Sequence, residues 1–92
     1  MRETRVEAKL TQVTKEMKGW AIKLLPSVSG LPDRLVLLPG GRVLFVELKS
    51  PTGTVAPHQI VVHNRLRALG FPVYILSTLE MVVQWAADME KS

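Results

Sequence analysis

The chain has 92 residues, 47% of them hydrophobic, and no cysteine. This length leaves room for one hydrophobic core, so we expect a single domain over residues 1–92. The missing cysteines exclude disulfides, thiolate zinc sites and cysteine nucleophiles, and an intracellular location fits best. No stretch approaches the roughly 20 apolar residues that cross a bilayer, and the charged first ten residues do not resemble a secretion signal.

Positive charge is concentrated in the first two thirds of the chain. The net charge is +4, and residues 1–67 hold 11 Lys and Arg against 5 Asp and Glu. Residues 68–92 hold Lys91 against three acidic residues. A basic region can attract a polyanion such as DNA, although many ordinary domains carry a similar excess.

Hydrophobic periodicity predicts the order α-β-β-β-α-β-α, which is an α/β fold with a mixed sheet flanked by helices. Strands are predicted at residues 20–25, 33–38, 43–49 and 71–76. Residues 39–41, Pro-Gly-Gly, predict a tight reversal between the second and third strands. These two strands therefore form a hairpin.

Three helices complete the predicted fold. The first covers residues 3–18, where apolar residues recur on one helical face. The second covers residues 57–69 and is expected to bury Ile60, Leu66 and Leu69. The third follows a capping box formed by Ser77 and Glu80.

Two charges interrupt the third strand, where Glu47 and Lys49 face the same side. Taken alone, the pair is most simply a surface ion pair. The hairpin, however, places Asp33 beside Glu47, and two neighbouring carboxylates repel each other unless a cation is present. Oxygen ligands favour Mg²⁺ or Mn²⁺, and a nearby lysine can orient water or stabilise charge on a phosphate. This is a constellation for metal-assisted phosphodiester hydrolysis.

Asp33 and the run Glu47-Leu48-Lys49 resemble the PD-(D/E)xK nuclease motif, whose core is α-β-β-β-α-β. A longer series is more specific: Glu7 in the first helix, then GLPDR at 30–34, GGR at 40–42, FVELK at 45–49 and APHQ at 56–59. In this order and spacing the series resembles the virus-type replication-repair nuclease (VRR-Nuc) family. The resemblance covers nearly the whole chain and is to the small stand-alone phage or bacterial type.

The resemblance implies a set of site residues. The implied metal ligands are Glu7, Asp33, Glu47 and the backbone carbonyl of Leu48. The implied catalytic residues are Asp33, Glu47, Lys49 and Gln59. Ala56, where the family often has Ser, weakens a helix cap without touching the chemistry.

The resemblance also implies an activity. We expect a Mg²⁺- or Mn²⁺-dependent DNA endonuclease that leaves a 5′-phosphate and a 3′-hydroxyl. Small members of the family act as homodimers on branched DNA such as four-way (Holliday) junctions, in phage or bacterial DNA replication, recombination or repair. We therefore expect a homodimer, for which the apolar positions of residues 71–76 and of the last helix are candidate contacts. The expected location is the cytoplasm of a bacterium or of a phage-infected host, with no membrane partner and no small organic cofactor.

Other interpretations stay open. Candidate DNA contacts are Lys23, Arg34, Arg42 and Arg65, each of which is equally well explained as plain surface. Glu3, one turn before Glu7, is an alternative ligand. The two histidines are five residues apart, at positions 58 and 63, so they do not share a helical face and are assigned no metal. The alternative function is a non-catalytic DNA-binding or assembly module on a nuclease-like scaffold.

Overall fold

The computed structural model describes residues 2–25 and 27–92, without the side chains of Arg2 and Glu3. A turn-rich loop is predicted over residues 26–32, between the first two strands, and Pro26 of this loop lies outside the description. The elements, in chain order, are α1 (Arg2–Glu16), β1 (Trp20–Lys23), β2 (Arg34–Leu38), β3 (Arg42–Leu48), α2 (Pro57–Ala68), β4 (Val73–Leu76) and α3 (Leu79–Lys91). The predicted order and α/β class are confirmed.

The four strands form one mixed sheet in the order β1-β2-β3-β4. The first three strands are antiparallel, and β4 runs parallel to β3, to which α2 connects it. Gly40 and Gly41 close the β2–β3 hairpin with φ angles of 83° and 75°. Glycine adopts such angles without steric cost, which explains the tight reversal.

The main core lies between one face of the sheet and the pair α1 and α3. Alternate residues of β2 and β3 point to this face, among them Val36 and Val46, which are fully buried. They pack against apolar side chains of the two helices, including Leu10, Val82 and Trp85. The alternating apolar residues of the strands and the apolar faces of the helices therefore pack into one core.

Among the described elements, α2 packs on the opposite face of the sheet. The prediction that α2 buries Ile60 and Leu69 is wrong, since their exposed fractions are 47% and 67%, whereas Leu66 is half-buried. The buried side chain of α2 is His63. Apolar residues occur on both sides of this helix, so periodicity could not indicate which side meets the sheet.

The predicted capping box of α3 is also wrong. The N-cap is Thr78, whose Oγ1 accepts a hydrogen bond from the Met81 backbone N–H at 3.1 Å. Ser77 lies one position before the cap, so Glu80 is not three residues after the capping residue. Within residues 2–25 and 27–92, no helix is both long and apolar enough to cross a membrane.

Candidate active site

The hairpin brings the two predicted acidic residues together. Arg34 pairs with Val46, so Asp33 and Glu47 lie opposite each other at the next position of the ladder. The Leu48 backbone N–H donates a hydrogen bond to Asp33 Oδ2 at 2.9 Å. This bond fixes the Asp33 carboxylate at the end of β3.

A cavity of about 350 Å³ opens at this end of the hairpin. Its lining comprises three acidic, three basic and two uncharged residues: Glu7, Asp33 and Glu47; Lys23, Arg34 and Lys49; Leu48 and Gln59. The structure thus gathers every residue that the family resemblance implies as a ligand or catalytic group around one space. Their roles remain predictions.

Glu47 is buried among groups that act on its charge. Its Oε2 atom accepts a hydrogen bond from Gln59 Nε2 at 2.9 Å and lies 3.5 Å from Lys49 Nζ. Burial and the nearby Asp33 charge raise the pKa of Glu47, while Lys49 and the Gln59 hydrogen bond oppose that rise. A bound cation would favour the ionised form of Glu47.

Gln59 links the start of α2 to Glu47. Its Oε1 accepts a hydrogen bond from the Ala56 backbone N–H at 2.9 Å, so its Nε2 is left to donate to Glu47. Ala56 offers no side-chain cap, as its residue type predicts. The backbone therefore sets which end of the Gln59 amide faces the carboxylate.

Arg34 differs from its expected place at the DNA-binding surface. It is buried in the cavity wall, where Nη2 donates a hydrogen bond to Glu7 Oε2 and Nη1 donates one to the Asp33 backbone carbonyl at 3.2 Å. Burial lowers the pKa of Arg34. The guanidinium therefore acts within the cavity wall, as the partner of Glu7.

The donor set suits a hard divalent cation. Asp33 and Glu47 offer carboxylate oxygens, and their mutual repulsion is the feature that a cation relieves. As they stand, no three acidic or histidine side chains of the described residues form a group that could hold a metal ion. Because Glu7 is paired with Arg34, the fit rests on the two hairpin carboxylates.

The other candidate DNA contacts are spread over the molecule. Lys23 is exposed and lines the cavity, and Arg65 is exposed on α2. Arg42 lies at the far end of β3 from Glu47, where Nη1 donates to the Met89 carbonyl at 2.9 Å and Nη2 donates to Ser92 Oγ at 2.7 Å. Arg42 therefore holds the end of α3 and lies outside the cavity. Glu3, the alternative ligand, has a side chain outside the described part of the chain.

Sequence reasoning missed one residue at the site. His63 is 1% exposed, and its Nε2 lies 4.0 Å from Glu47 Oε1. Burial, followed by the charges of Arg67 and Lys49, lowers the pKa of His63. The four-residue spacing between Gln59 and His63, which puts both on one side of a helix, was the available signal.

The fold and the cavity define an α/β protein of the PD-(D/E)xK nuclease class. No family model matches the chain. It is 39% identical over 82 residues to the protein named "Putative nuclease p44" of Acyrthosiphon pisum secondary endosymbiont phage 1, covering 88% of each chain. It is 32% identical to a solved structure described as a "VRR_NUC domain", with a TM-score of 0.84 over 91% of this chain and 92% of that one. The chain therefore belongs to the VRR-Nuc family.

Proposed function

We propose that the protein is a Mg²⁺- or Mn²⁺-dependent DNA endonuclease. The observation that carries this proposal is the juxtaposition of Asp33, Glu47 and Lys49 around one cavity in a chain of this family. The two carboxylates suit a cation, and the positively charged lysine beside them suits a phosphate in the same space.

Each residue has a distinct proposed role. Asp33 and Glu47 hold the ion, with Glu7 and the Leu48 carbonyl as further ligands. Gln59 keeps the Glu47 carboxylate oriented. Lys49 Nζ orients the attacking water or stabilises charge that grows on the scissile phosphate. The bound ion supplies Lewis acidity and lowers the pKa of a water molecule.

The test is cleavage of plasmid and oligonucleotide DNA with Mg²⁺ or Mn²⁺, before and after EDTA. We expect EDTA to stop cleavage, and Asp33→Asn, Glu47→Gln and Lys49→Met each to lower the rate at least about 100-fold. Glu16→Gln, at an exposed carboxylate on α1, is the matched control and should cut normally. Full activity in all three site variants would contradict the proposal. DNA retention without cleavage would indicate the non-catalytic alternative.

We further propose that branched DNA is the substrate. The molecule measures 32 × 31 × 21 Å, so one copy spans only about nine base pairs of duplex. Two copies related by a two-fold axis would match two arms of a four-way junction. The test is a labelled panel of linear duplex, flap, splayed arm and junction, on which equal cutting of every substrate would contradict structure selectivity.

The pairing of two copies is proposed to occur through α2. Its outward side carries the exposed apolar residues Ile60 and Val61, and Leu69 and Phe71 follow its end. Exposed apolar residues that cluster on one side of a helix mark a surface where another protein can dock. A role in phage or bacterial DNA replication, recombination or repair inside the host cell is consistent with the phage relative.

A further inference from the structure

The side of α2 that faces the sheet presents two polar side chains to one carboxylate. Gln59 and His63 are one helical turn apart and both reach Glu47, which lies on β3 beneath them. Gln59 donates a hydrogen bond to Oε2, whereas His63 Nε2 lies 4.0 Å from Oε1. The two oxygens of Glu47 therefore have separate neighbours on the same helix.

The atoms that face each other are both without hydrogen bonds. Among the described residues, Glu47 Oε1 and His63 Nε2 are buried polar atoms with no partner. Leaving a buried donor or acceptor unpaired costs about 1–3 kcal/mol per group. Their separation exceeds a hydrogen bond by only about 1 Å, a distance that a small rotation of either side chain removes.

We infer that His63 is a positioning residue, which donates a hydrogen bond from Nε2 to Glu47 Oε1 and so holds the carboxylate with Oε2 toward the cavity. His63 does not line the cavity. Its effect passes through Glu47 alone. The inference rests on the proposed function, in which Glu47 is a metal ligand.

Fixing the carboxylate has a consequence for metal binding. A ligand held in its binding orientation loses less rotational freedom when an ion binds. Partners that orient a metal ligand through hydrogen bonds typically contribute 10–100-fold in metal affinity or activity. An apolar residue at position 63 offers Oε1 no donor, so the carboxylate is then held only through Oε2, by Gln59.

The test compares His63→Leu with His63→Gln by isothermal titration with Mn²⁺ in the absence of DNA. Leucine fills the buried space without a donor, and the glutamine amide restores an N–H close to the position of Nε2. We expect His63→Leu to raise the Mn²⁺ dissociation constant about ten-fold or more and His63→Gln to restore most of the affinity. In cleavage assays at saturating Mn²⁺, kcat should follow the same order while KM for DNA stays within about two-fold.

Leu66→Ala is the matched control for packing. Leu66 lies three residues further along the same helix and is half-buried. This variant should lower Tm and leave the Mn²⁺ dissociation constant unchanged. Equal Mn²⁺ affinity in His63→Leu and wild type, or failure of His63→Gln to recover affinity in a folded protein, overturns the inference. Absence of Mn²⁺ binding to the wild type overturns the proposed function, and this inference with it.

Discussion

Arg34 and Glu7 form an ion pair of unequal burial. The Arg34 side chain is 6% exposed and that of Glu7 is 40% exposed. Removing the Glu7 charge leaves a buried guanidinium without its anionic partner. We expect Glu7→Gln to lower the free energy of unfolding of the metal-free protein by about 1–2 kcal/mol.

Urea denaturation in EDTA measures this effect. Glu16→Gln removes an exposed carboxylate from the same helix and should change stability by less than about 0.5 kcal/mol. Equal stability of Glu7→Gln and Glu16→Gln would show that the ion pair between Arg34 and Glu7 does not stabilise the fold.

Glu47 should make the protein less stable as pH rises. Because its pKa is raised from the ordinary 4.5, the folded state binds this proton more tightly than the unfolded state does. The stabilising effect of the proton is complete below pH 4.5 and is lost as pH rises through the raised pKa. Glu47→Gln cannot titrate, so its Tm should exceed that of metal-free wild type at pH 7.5, with the difference shrinking toward pH 4. A difference that does not vary with pH would contradict this expectation.

At the scale of elements, the turn before Asp33 is held close to α2. Gly30 has φ 93°, and a Cβ at this position would lie 2.8 Å from both the His58 carbonyl oxygen and Val62 Cγ2. We expect Gly30→Ala to lower the free energy of unfolding by about 2–3 kcal/mol and to slow cleavage, since the strand that begins after Asp33 must shift.

Gly40 provides the matched comparison. It has φ 83°, but a Cβ there would meet no atom within 4 Å. Gly40→Ala should therefore cost only about 1 kcal/mol, from backbone conformation alone, and leave the cleavage rate unchanged. Thermal unfolding and a cleavage assay on both variants distinguish the steric effect of the α2 contact at Gly30 from the conformational strain that both glycines share. Equal losses in the two variants would contradict the role of the α2 contact.

The order of elements was predictable because local patterns determine it, whereas side-chain partners were not. Periodicity and turn residues indicate strands and helices, and the hairpin alone places Asp33 beside Glu47. The burial of Arg34 and His63 depends on how α1 and α2 pack on the sheet. The spacing of Gln59 and His63 shows that they share a side of a helix, but not that this side meets the sheet. For this reason Arg34 was predicted to lie at the surface, and His63 was assigned no role.

At the scale of the whole molecule, the proposed pairing predicts a change of mass. Val61 is 68% exposed on the outward side of α2. We expect wild type to scatter light as a particle of twice the 10.3 kDa chain mass, and Val61→Glu to scatter as a monomer because a charge cannot be buried there without cost.

Val83→Glu, at a half-exposed position on α3, is the control and should leave the mass unchanged. A monomeric wild type, or equal masses for wild type and Val61→Glu, would contradict pairing through α2. The monomeric Val61→Glu variant should also cleave junctions more slowly than wild type, because a single copy spans only one arm.

The two sides of helix α2 should also make the cleavage rate depend on protein concentration. On its inner side Gln59 donates a hydrogen bond to Glu47, the proposed metal ligand, and its outer side is where another copy would dock. Docking would restrain the helix that carries both sides, so self-association and metal binding at Glu47 would be thermodynamically linked. Specific activity per chain should then fall on dilution through the dimer dissociation constant, even on a short linear duplex that one copy can grip.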